Sequence, residues 1–144
     1  ARSYPACSRS PAIRSESSER YDAFANDVLE TKRALLDFLI AAKREGKSIV
    51  GYGAPAKGNT LLNYCGIRTD FLDYTVDRSP HKQGRYTPGT HIPILDPEQI
   101  RQTRPDYVLI LPWNLQEEIG RQLNYIREWG GRCVVPIPAV KVLD

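Results

Sequence analysis

The chain of 144 residues contains no methionine, even at position 1, and it lacks several patterns that would assign it to a functional class. Its cysteines, Cys7, Cys65 and Cys133, lie far apart in sequence and form no CxxC pair. Only His81 and His91 could join them as ligands, so the sequence predicts no metal site. No apolar run approaches the roughly 20 residues that cross a membrane. We therefore expect reduced thiols and a cytoplasmic protein.

A second group of absences concerns the N-terminus and the charge. Residues 1–18, ARSYPACSRSPAIRSESS, are rich in Ser, Arg and Pro, without hydrophobic periodicity or a secretory signal. This composition is typical of a linker or disordered tail. Because methionine is also missing, we expect a fragment or a processed chain. A net charge of +3 is compatible with an anionic small ligand but too small to indicate nucleic acid.

From residue 19 onward, helical and extended patterns alternate. A helical pattern covers residues 19–45 and ends at Gly46. Further helical patterns begin at Pro55, at Asp96 with Pro97 in the first turn, and at Asn114, where Asn114 and Glu117 have the spacing of a capping box. Short apolar runs predict strands at residues 48–52, 73–76, 91–95, 107–111 and 133–137.

This alternation predicts an α/β fold. Strands joined through helices pair in parallel, with helices on both faces of the sheet. Pro93 confines the strand at 91–95 to an edge or an irregular position. We expect a Rossmann-like three-layer domain with a mostly parallel sheet, preceded by a long N-terminal helix and occupying residues 19–144.

The stretch SIVGYGAPAKGNTLLNYCG joins the first strand to a helix through glycines. Lys57 precedes Gly58, which is the wrong order for a phosphate-binding P-loop. Gly51, Gly53 and Ala56 instead fit the dinucleotide fingerprint G-x-G-x-x-G/A. In that fingerprint, Gly51 permits a tight turn, Gly53 lets the backbone approach a phosphate, and Ala56 allows close helix–strand packing.

Two neighbouring residues bear on this interpretation in opposite directions. Asp77 follows the next strand, near the position of a ribose-binding carboxylate. Pro55 lacks an N–H that could have held a phosphate. The alternative is that the glycines only turn the chain from strand to helix. Lys57 and Asn59 add polar side chains that the fingerprint does not require.

Two more polar stretches follow strands and would share the ligand-binding edge of the sheet. In DRSPHKQGRYTPG, the basic residues include His81 and Lys82, which favours an anion such as a diphosphate over a merely solvated loop. In LPWNLQEE, Trp113 and Asn114 follow another strand. The indole could stack on a base or a sugar, or it could pack as a hydrophobic staple at a helix start.

Four segments together resemble the C-terminal domain of the SAM-dependent sugar C-methyltransferases. They are GYGAPAKGNTLLNYCGI, DFLDYTVDRSPHKQGRYTPGTHIPI, PDYVLILPWNLQEEI and GGRCVVPIP. The resemblance covers roughly residues 20–140, with the motifs in the same order. It implies a domain that helps hold a nucleotide-linked deoxysugar or a related substrate.

The resemblance also implies what lies elsewhere. The family's N-terminal zinc-binding region, its S-adenosylmethionine domain and its catalytic His, Tyr and Glu residues have no match here. No Ser-His-Asp set or close pair of acids is visible, so we expect no catalytic residues and no cofactor in this chain. Gly51 and Gly53 would face the substrate, with polar contacts expected first from Lys57 and Asn59, then from His81 and Lys82, and then from Trp113 and Asn114.

Three functional hypotheses follow. The first is the substrate-binding domain of a C-methyltransferase, inactive alone, with the missing zinc and S-adenosylmethionine domains as partners. The second is a free-standing Rossmann domain that binds NAD or a sugar nucleotide. The third is an assembly module that binds no ligand and packs its long helix on a partner. None of them involves nucleic acid or a membrane.

Overall fold

The computed structural model describes the backbone of residues 16–143 and the side chains of residues 26–143. The chain divides into two units, Ala1–Glu30 and Thr31–Asp144. Of the first unit, the described part belongs to helix α1, Glu16–Arg44. The predicted tail at residues 1–18 lies almost entirely outside the described residues, and the predicted division of the chain stays a prediction.

In the second unit, a six-stranded sheet has the order β3-β2-β1-β4-β5-β6. The strands β1 to β5 pair in parallel, and β6 pairs antiparallel with β5. The strands are β1 (Ile49–Tyr52), β2 (Thr75–Val76), β3 (Ile94–Leu95), β4 (Tyr107–Ile110), β5 (Arg132–Val135) and β6 (Lys141–Val142). The mostly parallel α/β sheet was predicted correctly, and β3 lies at the edge, as Pro93 indicates.

The remaining helices follow the strands. They are α2 (Ala56–Cys65), α3 (Gln99–Thr103) and α4 (Gln116–Gln122), with 3-10 helices at Trp113–Leu115 and Asn124–Trp129. Glycines follow the ends of α1, α2 and the second 3-10 helix, as predicted. They are Gly46, Gly66 and Gly130, with φ of 78°, 70° and 80°. Left-handed conformations of this kind are strained for residues that have a Cβ atom, and glycine adopts them without that strain.

Side chains alternate between the two faces of the sheet and build two apolar clusters. Ile49, Leu109 and Val134 face one side, where Leu35 and Leu39 of α1 and Leu62 of α2 cover them. The opposite face includes Val108 and Ile110, covered by Ile100 of α3, Ile119 of α4 and Ile126. The domain therefore has the three layers that the sequence predicts.

Two local predictions are wrong. The helix expected from Asp96 begins at Gln99, because Asp96 forms a turn first and its Oδ1 accepts the N–H of Glu98. The capping box does not form: α4 begins after Leu115, with no side-chain cap. The side chain of Asn114 bonds Lys57 instead.

Two features are absent from the part of the chain that the structure describes. Within residues 16–143, no helix is long and apolar enough to cross a membrane. Among residues 26–143, whose side chains the structure describes, no group of three His, Cys, Asp or Glu side chains is placed to hold a metal ion.

Candidate binding site at the carboxyl edge of the sheet

The predicted glycine loop lies where β1 ends and α2 begins, at the carboxyl edge of the parallel strands. Gly53 has φ of 90°, and a Cβ atom there would come within 2.7 Å of the Pro112 ring. Its conformation therefore requires glycine, and its neighbour on that side is the loop after β4. Because Pro112 occupies that space, the group that Gly53 lets come close on this side is the Pro112 ring and not a phosphate.

Two of the fingerprint roles are corrected by the structure. Gly51 makes no turn: it lies inside β1, where a Cβ atom would come within 2.8 Å of the Thr75 hydroxyl. Ala56 is exposed, so it does not allow the close packing of α2. Gly58 has that role, because its Cβ position is 2.8 Å from the Cβ atom of Leu111. The spacing G-x-G-x-x-G/A missed Gly58, although the third glycine of the stretch was visible in the sequence.

Lys57, Trp113 and Asn114 come together at this edge. The Lys57 ammonium lies 4.7 Å from the centre of the Trp113 ring and donates a hydrogen bond to Oδ1 of Asn114. An ammonium has three N–H donors, so it can also bind an anion. A cation over an indole face is stabilised by the ring quadrupole. The first turn of α2 and the 3-10 helix after β4 therefore supply one joint cationic and aromatic surface.

The N-terminus of α2 adjoins this surface. Pro55 occupies the cap position and provides no side-chain hydrogen bond to the helix. The first N–H groups of a helix and its dipole favour an anion at such an end. Asn59, one turn into the helix, is partly buried, and among the described residues its buried Oδ1 atom has no hydrogen-bond partner. A buried acceptor without a partner costs free energy, and a ligand hydroxyl group that donated a hydrogen bond to it would remove this cost.

Asp77 and Lys82 hold the loops of this edge in place. The Asp77 carboxylate accepts the Ala54 N–H and the Ser79 N–H, each at 2.9 Å. The Lys82 ammonium lies 3.8 Å from the same carboxylate and donates to the Ala54 carbonyl at 3.2 Å. Each carboxylate oxygen thus already accepts a backbone N–H inside the protein, which leaves Asp77 fewer acceptor sites for the hydroxyl groups of a ribose.

The remaining predicted site residue is His81. It lies on the same loop as Lys82 and its side chain is exposed. The structure does not bring it into contact with Lys57, Asn59 or Trp113 among the described contacts. Its part in ligand binding stays a prediction.

Most of the chain matches a known family. Residues 8–138 match the family described as the C-methyltransferase C-terminal domain. The chain belongs to this family. The resemblance noted in the four sequence motifs is thereby confirmed.

One curated relative shows how a C-methyltransferase C-terminal domain relates to a longer protein. The C-methyltransferase NovU of Streptomyces niveus is 37% identical over 124 residues, which are 86% of this chain and 30% of NovU. The chain therefore spans about a third of the length of the curated relative that it matches.

The fold of this C-methyltransferase C-terminal domain also has a solved neighbour. UDP-D-quinovosamine 4-dehydrogenase from Vibrio fischeri superimposes with a TM-score of 0.50 at 18% sequence identity. The superposition covers 68% of this chain and 93% of that chain. The likeness supports the Rossmann-like architecture alone.

Proposed function

We propose that this chain is the substrate-binding domain of a SAM-dependent C-methyltransferase and that it holds a nucleotide-linked keto-deoxysugar. The observation that carries the proposal is the joint surface of Lys57, Trp113 and Asn114 beside the N-terminus of α2. A diphosphate would bind the Lys57 ammonium and the helix N-terminus. The Trp113 ring offers a stacking face for a base or a sugar.

The same edge is poorly suited to S-adenosylmethionine or NAD. Such cofactors need a free carboxylate for the ribose and open space above the glycine loop. Each oxygen of Asp77 already accepts a backbone N–H, and Pro112 fills the space beside Gly53. We therefore assign S-adenosylmethionine, which supplies the methyl group, to another domain of the full-length enzyme. This chain instead orients the substrate for that reaction.

Calorimetric titration of the chain tests the proposal. We expect a dTDP-linked keto-deoxysugar to bind, and Lys57→Ala to weaken its binding about 10-fold or more, because a charge-assisted hydrogen bond is worth about 1.5–3 kcal/mol. Lys47→Ala is the matched control, since Lys47 is an exposed lysine in the turn between α1 and β1. The control should leave the affinity unchanged within about 2-fold.

Three results would contradict the proposal. Equal affinities for the Lys57→Ala and Lys47→Ala variants would remove Lys57 from the site. Tight binding of NAD without binding of the sugar nucleotide would favour a free-standing nucleotide-binding domain. Methyl transfer by this chain alone, given S-adenosylmethionine and the keto-sugar nucleotide, would refute the division of tasks between domains.

A further inference from the structure

A groove of about 1170 Å³ lies beside α4. Its walls come from α4 and the 3-10 helix after it on one side, and from the beginning of β5 and from β6 on the other. Leu123, Ile126 and Cys133 lie buried at its floor, with Leu143 partly buried beside them. None of these residues belongs to the proposed substrate site.

The groove runs along one side of α4. Gly120 and Arg121 lie three and four residues after Glu117, which places these three residues on the same face of the helix. The neighbouring face carries Ile119 and packs on the sheet. The groove therefore follows the boundary between the packed face of α4 and its solvent face.

The sheet side of the groove is formed by the last two strands. Lys141 pairs with Val135, and directly opposed residues of an antiparallel pair point to the same face. Val135 packs in the cluster under α4, so the Lys141 side chain lies on the groove side of the sheet. The strand β6 is the last in the sheet order, so its outer edge forms no ladder with any other described strand.

Gly120 is the most informative residue of the groove. It lies inside α4, where glycine weakens a helix, yet a Cβ atom at this position would meet nothing within 4 Å. Packing within the described residues therefore gives no reason for glycine. A residue without a side chain lets another backbone approach the helix closely.

The charge of the rim indicates what would approach. Arg121, Arg127 and Lys141 are exposed around the groove, against a single carboxylate, Glu117. Among residues 26–143, no ion pair joins any of these four groups. Positive side chains without ion-pair partners surround an apolar floor. Such a groove is complementary to a segment that has carboxylates and an apolar face.

We propose that this groove docks an acidic segment with an apolar face, contributed by another domain of the same enzyme. The inference rests on the proposed function, in which this chain works as one domain of a longer protein. The length of the relative agrees with it, because 30% of NovU corresponds to this chain and the rest lies outside it. The segment would lie against Gly120 and the outer edge of β6, with its carboxylates near Arg121, Arg127 and Lys141.

Amide hydrogen exchange of the full-length enzyme and of this chain alone tests the proposal. We expect amides of α4 and of residues 141–143 to exchange at least 10-fold more slowly in the full-length enzyme. Gly120→Phe fills the groove, so it should reduce that difference to less than 2-fold. Gln102→Phe is the matched control, since it adds the same ring to an exposed position on α3 outside the groove, and it should keep the full protection.

A charge-reversal pair gives a second test that adds no bulk. Arg121→Glu together with Lys141→Glu should also remove the protection, whereas Lys47→Glu, at an exposed lysine outside the groove, should retain it. This arm decides the question if the Gly120→Phe chain does not fold.

Four outcomes would overturn the proposal. They are equal exchange in the two proteins, full protection in both groove variants, protection of the isolated chain that grows with its concentration, and protection of the isolated chain by the dTDP-sugar alone. The third would assign the groove to a second copy, and the fourth to the substrate. Exchange protection needs no sugar nucleotide, so a failure of substrate binding is told apart from a failure of docking.

Discussion

Gly53 is the residue at which one added methyl group should be most costly. Its φ of 90° is strained for any residue with a Cβ atom, and the Pro112 ring lies 2.7 Å from the Cβ position. We expect Gly53→Ala to lower the free energy of unfolding by about 2–4 kcal/mol, from strain and overlap together. Urea denaturation followed by circular dichroism measures this loss.

Gly46 separates the two contributions. Its φ of 78° is equally strained for alanine, but nothing lies within 4 Å of its Cβ position. We expect Gly46→Ala to cost only about 1–2 kcal/mol, the conformational part alone. Equal losses in the two variants would mean that contact with Pro112 does not contribute.

For the site residues, the sequence predicted which side chains lie close together better than it predicted which of them form hydrogen bonds. Lys57, Trp113 and Asn114 follow strands that are neighbours in the sheet, so the topology brings them to one edge. The sequence could not show that Asn114 bonds Lys57 rather than capping α4, because that choice depends on where the two loops meet. It likewise left open that Asp77 would bond the backbone of the glycine loop.

At the level of elements, two glycines inside helices should respond to alanine in opposite directions. In α2, a Cβ atom at Gly58 would lie 2.8 Å from the Cβ atom of Leu111, so alanine pushes the helix away from the sheet. The overlap should cost about 1–3 kcal/mol, more than the gain in helix propensity of about 1 kcal/mol. In α4, the open Cβ position at Gly120 leaves only that gain.

Thermal unfolding of this chain measures both effects. We expect Gly58→Ala to lower the midpoint and Gly120→Ala to raise it, each by a few degrees, since about 1 kcal/mol shifts a domain of this size by roughly 4 °C. Shifts of the same sign would contradict the packing described for one of the two helices.

The sequence predicted those parts of the helices and strands that local residues determine, and it missed those that depend on contacts with other elements. Helix ends at Gly46, Gly66 and Gly130 were predicted correctly, because a left-handed cap is a local requirement that glycine satisfies. The two-residue strand β6 was missed, because Lys141 and Val142 show no alternating pattern and pair through contact with β5. The start of α3 was placed three residues early, because Pro97 suits a turn as well as a first helical residue.

At the scale of the whole molecule, buried groups that must stay protonated make the fold sensitive to alkali. Burial raises the pKa of the Cys133 thiol from 9.0 to about 11, although nearby Arg127 opposes the shift. Burial is also the main cause that raises the pKa of Cys65 and of Tyr52, Tyr74 and Tyr125. All five groups are neutral in the folded protein at neutral pH.

The sign of the resulting pH dependence follows from proton binding. Where the pKa is higher in the folded state, the folded chain binds more protons than the unfolded chain, so stability falls as pH rises. The contribution of Cys133 is complete below about pH 9 and is lost as pH rises to about 11. A shift of this size corresponds to about 2–3 kcal/mol at most.

Urea unfolding at pH 8 and pH 10.5 tests this dependence. We expect the free energy of unfolding to fall over this interval and Cys133→Ala to make the fall smaller, although the variant loses packing at both values of pH. Gln102→Ala is the control, because Gln102 is exposed and its side chain does not ionise, so this change should leave the fall unchanged. An equal fall in the parent chain and in Cys133→Ala would show that the buried thiol does not contribute, since only a group whose pKa differs between folded and unfolded chains changes the slope.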